Sequence, residues 1–262
     1  MRADRWSALF FGHFLTFWAS AYTYSTVVGT LTVVESLNHE KHIPVTFNLN
    51  LFTRGWTTAF LIRVIKILLF QIPDKHTMTL SAWCLYTIMI DILLSGLYIR
   101  AVHTIIARPS ASYFYLSSWR TFLQIIPAAV VASVARSLNF FIPYAILKTS
   151  LYDSMQPYLL LLSSAVVYFL VTAPAQAVFI RVSASRLSEK DLPIVTLDDK
   201  IRGNGGIGMV TAWTSWERRS YINYYQALVK AFILKVSTWV CFGWLMITVY
   251  EPYVWDIIWV AA

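Results

Sequence analysis

Apolar runs close to the length of a membrane span recur along nearly the whole chain. A run of about 20 apolar residues is long enough to cross the hydrocarbon core of a bilayer as a helix. Charged residues make up 13% of the chain, and a soluble domain usually carries about 25%. The pattern predicts an all-α fold, a polytopic bundle of transmembrane helices that forms a single membrane domain over residues 1–262.

Polar or proline-containing links divide the chain into six predicted spans, several of them flanked by Trp and Tyr as in an aromatic belt. The predicted spans cover residues of about 6–34, 53–72, 80–106, 119–147, 157–180 and 227–250. The second predicted span also fits a different placement, because it contains the charged residues Arg63 and Lys66. It could instead lie in the membrane interface as a basic amphipathic helix.

Residues 181–221 form a long polar segment rich in Lys and Arg. The side of the predicted bundle that carries it holds eleven Lys and Arg residues in its loops and near the span ends, against four on the other side. The positive-inside rule places this segment in the cytoplasm. The net charge of +8 indicates contact with anionic lipid and not with nucleic acid. We expect membrane lipids, and proteins within the membrane, as partners.

The polar segment contains Gly203, Gly205 and Gly208 in the order G-x-G-x-x-G. A dinucleotide fingerprint needs a strand before it, a helix after it and an acidic residue about 20 positions further on. Glu217 is nine residues past Gly208, and about forty residues separate the two neighbouring spans. We therefore predict a turn that leads into an interfacial helix over about 209–226, and no cofactor.

Asp91 lies in the middle of the third predicted span, and Arg136 lies near the middle of the fourth. An unpaired charge at that depth costs about 2.5–3.5 kcal/mol on the insertion scale. Because consecutive spans are antiparallel neighbours, we predict that Asp91 and Arg136 pair. The face of Asp91 also carries, at helical spacing, Cys84, Thr87, Ser95 and Tyr98.

Two interpretations of this pair stay open, a structural ion pair that sets helix register and a ligand site or proton relay. Cations exceed carboxylates inside the spans, even where Lys66 and Lys235 snorkel to the interface. An anionic headgroup or substrate would balance the charge. The predicted ligand-binding residues are Asp91, Arg136, Arg63, Thr87 and Tyr98.

Motifs of catalysis and metal binding are missing from the sequence. Glu35, His39, Glu40 and His42 lie close together, but no second histidine box accompanies them, so we expect a solvated loop and no metal site. We predict a carrier, accessory subunit or scaffold for a lipid or amphipathic anion. The alternative is a membrane-embedded cyclase or transferase for a lipophilic substrate, with Asp91 as its acid. A transporter is disfavoured because no repeat relates two halves.

Residues 172–236 resemble the C-terminal part of an uncharacterised fungal multi-pass membrane protein family, often labelled "ubiquitin carrier" or "ubiquitin-conjugating". The resemblance implies a fungal protein of the endoplasmic reticulum or another endomembrane. It implies no chemistry and no site residue, and the label lacks support because both cysteines, Cys84 and Cys241, lie in predicted spans. The residues that carry it are Pro174, Arg181-Val182, Ala184-Ser185, the stretch LPIVTLDD, the Gly-Gly-x-Gly turn and Ala212-Trp213.

Overall fold

A computed structural model describes residues 19, 21–35, 55–71, 79–107, 119–149, 156–187, 193–195, 197–198, 200–201 and 206–250. Within these ranges the chain is helical, and its only extended pairings are two isolated antiparallel bridges. The predicted all-α class is confirmed. The helices are α1 (Thr23–Val34, with π-helical geometry over Thr23–Val28), α2 (Trp56–Phe70), α3 (Leu80–Leu93), α4 (Ser95–Ile106), α5 (Trp119–Thr149), α6 (Gln156–Val167), a π-helical turn (Tyr168–Thr172), α7 (Ala173–Ala184), α8 (Met209–Thr214) and α9 (Arg218–Tyr250).

The chain divides into two compact units. One comprises Met1–Gly29 and Tyr221–Ala262, and the other is Thr30–Ser220. In the first unit, Gly29 lies against the buried ring of Tyr224, and a Cβ atom added to Gly29 would be in van der Waals contact with that ring at 3.4 Å. The second unit contains the candidate site. The single domain predicted over residues 1–262 stays a prediction.

Two described helical stretches are long and apolar enough to cross a membrane, Thr121–Ile146 within α5 and Leu159–Ala184 from α6 to α7. The pair α3 and α4 makes a third if it counts as one bent span. The predicted count of six is not shown. The 15 residues of α2 extend about 22 Å, less than the hydrocarbon core of about 30 Å. Residues 6–18 and 20 of the first predicted span lie outside the described residues.

The third predicted span, 80–106, is bent by 48° between α3 and α4. The bend centres on Leu94, whose ψ of −1° departs from α-helical geometry. Next to it, the Ser95 hydroxyl donates to the carbonyl of Ile92 at 2.6 Å. A serine that bonds back to the preceding helical turn competes with the backbone and bends the helix.

Helix ends differ from the predictions on both sides of the polar segment. The fifth predicted span stops at Ile180, whereas α7 continues to Ala184 and includes Arg181. The helix predicted over 209–226 is instead two helices, because α8 ends at Thr214 and α9 begins at Arg218. The sixth predicted span begins at Ala227, well inside α9.

Small residues hold α5 against its neighbours. Six alanines on α5 and α7 are at most 3% exposed, and they allow close approach of the backbones. The Thr172 hydroxyl donates to the carbonyl of Ala135 on α5 at 3.0 Å. Pro174 lacks the N–H that would bond the carbonyl of Leu170, and Leu170 lies within the π-helical turn. The buried alanines are Ala128, Ala129, Ala132, Ala135, Ala173 and Ala177.

Candidate functional site

Asp91 of α3 is the centre of a buried ion-pair cluster and is 3% exposed. Nε of Arg136 on α5 donates to Oδ2 of Asp91 at 2.8 Å. Nζ of Lys66 on α2 contacts the other carboxylate oxygen, Oδ1. The predicted pair between Asp91 and Arg136 is therefore confirmed. The sequence also allowed Lys66 to snorkel to the interface, but its ammonium group contacts the other oxygen of the same carboxylate.

Apolar packing brings α2 and α3 together beside this carboxylate. Ile62 lies one helical turn before Lys66, and it forms a buried cluster with Ile90 and Leu94. The Tyr86 hydroxyl adds a cross-helix bond, because it donates to the carbonyl of Leu69 at 2.7 Å. Packing between Ile62 on α2 and Ile90 on α3 thus brings Lys66 and Asp91 within contact distance.

Tyr98 of α4 presents its ring to both cations. The guanidinium carbon of Arg136 lies 4.6 Å from the ring centroid, and Nζ of Lys66 lies 5.7 Å from it. Cation–π contacts of this length stabilise a cation that has left bulk water. The sequence places Tyr98 on the face of Asp91, and its ring lies beside the two cations that contact Asp91 although the chain bends between α3 and α4. Asp91, Lys66, Arg136 and Tyr98 are called the Asp91 cluster below.

Hydroxyl groups extend the polar contact between α3 and α5. Thr87 donates to the carbonyl of Cys84 at 2.7 Å, and its oxygen lies 3.2 Å from the hydroxyl oxygen of Ser137. Nη2 of Arg136 donates to the Ser133 hydroxyl at 3.2 Å. The bond to Ser133 helps to orient the Arg136 side chain toward Asp91. Thr87 borders the Asp91 cluster, as its place on the Asp91 face indicates.

The Asp91 cluster contains two cations and one carboxylate. The side chain of Asp91 is 5% exposed, whereas those of Lys66 and Arg136 are 24% and 18% exposed. The two cationic side chains are thus more accessible than the carboxylate that they contact. Such a group attracts an anion, because its net charge is +1 and its surroundings are less polar than water.

Arg63 is exposed on α2, one turn before Lys66. Lys66 is the cation of α2 that contacts Asp91, and the ligand-binding role predicted for Arg63 stays a prediction. No sequence signal separates the two cations, because both lie in the same apolar run. Only the packing of Ile62 shows which one faces α3.

A second buried charge, Arg181 of α7, binds the polar segment to the helices. It is 1% exposed. Its Nη1 donates to the carbonyl of Val33 at 3.0 Å, and its Nη2 donates to Oδ2 of Asp198 at 3.0 Å and to the Ser215 hydroxyl at 3.1 Å. These four residues are called the Arg181 clasp below. The sequence predicts a cytoplasmic loop at Arg181, because a lone arginine after an apolar run is typical of a span end, whereas Arg181 lies within α7.

Backbone bonds complete the attachment of this segment. The Asp198 N–H donates to the carbonyl of Val34 at 3.0 Å, and the Ile194 N–H donates to the carbonyl of Ile106 at 2.8 Å. Further along, the Ile207 N–H donates to the Ser185 hydroxyl at 3.1 Å. The described part of the polar segment is therefore packed on the ends of α1, α4 and α7.

The described end of the glycine-rich stretch contains one residue in left-handed geometry, and the predicted turn stays a prediction. Gly206 has a φ of +74°, which L-residues with side chains rarely adopt, and a Cβ atom there would overlap the Arg186 side chain. Gly208 is extended and precedes the short helix α8. Gly203 and Gly205 lie outside the described residues, so their part in a fingerprint is not tested.

Within the described ranges no group of three or more His, Cys, Asp or Glu residues could hold a metal ion. His39, Glu40 and His42 lie outside those ranges. Comparison with family models, curated proteins and solved structures finds no match for this chain. The resemblance to a fungal membrane protein family thus remains a prediction.

Proposed function

We propose that this chain is a multi-pass helical membrane protein of the endoplasmic reticulum or another endomembrane, and that it handles an amphipathic anion through the Asp91 cluster. The observation that carries the proposal is the charge of that cluster, in which one buried carboxylate faces two partly exposed cations. The role is that of a carrier, accessory subunit or scaffold for a lipid with an anionic headgroup.

The depth of the cluster supports an amphipathic ligand. Arg136 lies well inside the apolar stretch Thr121–Ile146, and Asp91 lies in the apolar helix α3. A net positive charge in such surroundings is unfavourable unless an anion accompanies it. An ion with an apolar tail can reach this depth without leaving an apolar environment.

The geometry favours binding over acid catalysis. An acid catalyst donates a proton from its carboxyl group, whereas both oxygens of Asp91 accept contacts from cationic side chains. The aromatic ring of Tyr98 faces the two cations of the protein itself. In a cyclase, aromatic rings would instead face a cationic intermediate of the substrate.

The test uses the purified protein in nanodiscs of phosphatidylcholine with a minor fraction of phosphatidylglycerol or phosphatidic acid. Native mass spectrometry reports how strongly the protein retains the anionic lipid over the neutral one. Lys66→Met leaves the Asp91–Arg136 pair neutral, so we expect the preference for anionic lipid to fall about fivefold, as for a contact worth about 1 kcal/mol. Asp91→Asn removes the only carboxylate of the cluster, and we expect the preference to rise.

Lys230→Met is the matched control, because Lys230 is exposed on α9 and lies outside the Asp91 cluster. It changes the net charge of the protein by the same amount, and we expect it to leave the preference unchanged. A purely structural pair would make both cluster variants less stable without opposite effects on lipid preference. Equal retention by wild type, Lys66→Met and Lys230→Met would contradict the proposed function.

A further inference from the structure

An apolar groove of about 540 Å³ runs between α5, the π-helical turn, α7 and α8. Its walls include Val134 of α5, Leu170 of the π-helical turn and Ala175 of α7, and Val210 and Trp213 of α8 close one end. Every residue that lines it is hydrophobic. The volume falls within the range of about 300–1,000 Å³ that is usual for ligand sites.

The groove and the Asp91 cluster lie on different faces of α5. Val131, Val134 and Leu138 recur at steps of three and four and line the groove. Ser133 and Arg136, which belong to the polar contacts, recur at the same spacing on another side. Because side chains three or four apart share one helical face, the two sets point in different directions. The groove is thus a separate site.

A lipid tail fits the walls of this groove better than another helix does. Close helix pairing within a membrane uses stripes of small residues, whereas this groove is lined mostly by Val, Leu, Met and Trp. The rim of the groove carries large apolar side chains that remain accessible, with Leu170 72% and Val210 70% exposed. A flexible acyl chain can follow such a surface, whereas a rigid helix needs a close match of shape.

Charge at the α8 end is complementary to a lipid headgroup. Trp213 is 53% exposed there, and tryptophan is enriched where a membrane meets water. Arg218 and Arg219 follow within six residues and are both exposed. An anionic phosphate near this end would lie beside a cationic stretch while its tail extends along α5 and α7.

We propose that one acyl chain of an anionic bilayer phospholipid occupies this groove, with α8 as its end wall. The inference rests on the membrane location proposed above and does not need the Asp91 cluster to bind a ligand. The Arg181 clasp positions the end wall, because Arg181 bonds to Ser215 directly after α8.

The experiment uses the full chain in nanodiscs that contain phosphatidylglycerol with a diazirine group on its acyl chain. After illumination, peptide mass spectrometry maps the labelled residues. We expect labels concentrated on groove residues of α5, the π-helical turn and α8. Ala175→Phe fills the groove, and we expect it to reduce those labels at least fivefold. Leu162→Phe places the same phenylalanine side chain at a residue that is 63% exposed and outside the groove, and it should leave them unchanged.

Val210→Ser is a second variant, for the case in which Ala175→Phe does not fold. Val210 is 70% exposed, so its replacement leaves the packing in place while it makes the end wall polar, and we expect fewer labels near α8. Labels spread evenly around α5 and α6, or cross-links between two copies at the groove, would overturn the proposal. Lys66→Met should leave groove labelling intact, so the two proposals fail independently.

Discussion

Replacing Asp198 with alanine should release the polar segment from the helices. The substitution removes the carboxylate that accepts from Nη2 of Arg181 and leaves a guanidinium that is 1% exposed. Breaking a buried ion pair from one side costs about 3–5 kcal/mol. Val33 and Ser215 still accept from Arg181, so we take the lower end, about 3 kcal/mol.

That free energy is lost from the attachment of the segment, because the clasp joins α7 to residues that follow it in the chain. A local opening that becomes about 3 kcal/mol easier is populated about 100-fold more. Proteolysis follows that population when the segment opens and closes quickly. We therefore expect trypsin to cleave at Lys200 about 100-fold faster in Asp198→Ala than in wild type, as measured on gels or by peptide mass spectrometry.

Two further variants make this test specific. Glu217→Gln removes an exposed ion pair with Lys200, whose atoms lie 4.0 Å apart, and it should change the cleavage rate less than fivefold because exposed pairs contribute about 0–1 kcal/mol. Arg181→Met combined with Asp198→Ala leaves no buried charge and should be cleaved more slowly than Asp198→Ala alone. A cleavage rate in Asp198→Ala within threefold of wild type would refute the clasp as the main attachment.

Three smaller predictions concern stability, measured as the midpoint of thermal unfolding in detergent. Asp91→Ala leaves two cations without their shared carboxylate and should cost about 3 kcal/mol, while a midpoint equal to wild type would show that the cluster does not stabilise the fold. Thr172→Val removes the bond to Ala135 and should cost about 1 kcal/mol, with Thr214→Val, at an exposed residue of α8, as the control. Gly206→Ala meets a positive φ and the Arg186 side chain, so it should cost about 1–3 kcal/mol, and an unchanged midpoint would contradict that.

The pair of Asp91 and Arg136 could be predicted because each charge is conspicuous within an apolar run. At that depth an unpaired charge is costly, so the two most central charges of opposite sign are expected to form an ion pair. Lys66 could not be assigned in the same way. A lysine can extend its long side chain to the interface, and only the burial of Ile62 against Ile90 shows that this one turns inward.

Helix ends were harder to predict, and Arg181 shows why. An arginine at the end of an apolar run is usually exposed to water, because a guanidinium is rarely buried. Here the partner is Asp198, which lies 17 residues further along the chain. Hydropathy within a window records only near neighbours, so a charge neutralised by a distant segment is read as the boundary of a span. The bend at Leu94 escapes the same window, because a serine within an apolar run barely lowers its mean hydropathy.

Mean hydropathy predicts α5 as a span but does not show that it has two different faces, one toward the Asp91 cluster and one toward the groove. Ser133 and Arg136 turn toward α3, and Val131 and Val134 turn toward the groove. A bilayer covers any face with hydrocarbon, so an apolar face costs nothing when it stays uncovered by protein. A face with a charge must instead be covered by partners that carry the opposite charge. The partners of the polar face of α5 are therefore fixed by the charges on α2 and α3. The apolar face has no such requirement, and Leu170 of the π-helical turn and Pro174 form the opposite wall of its groove.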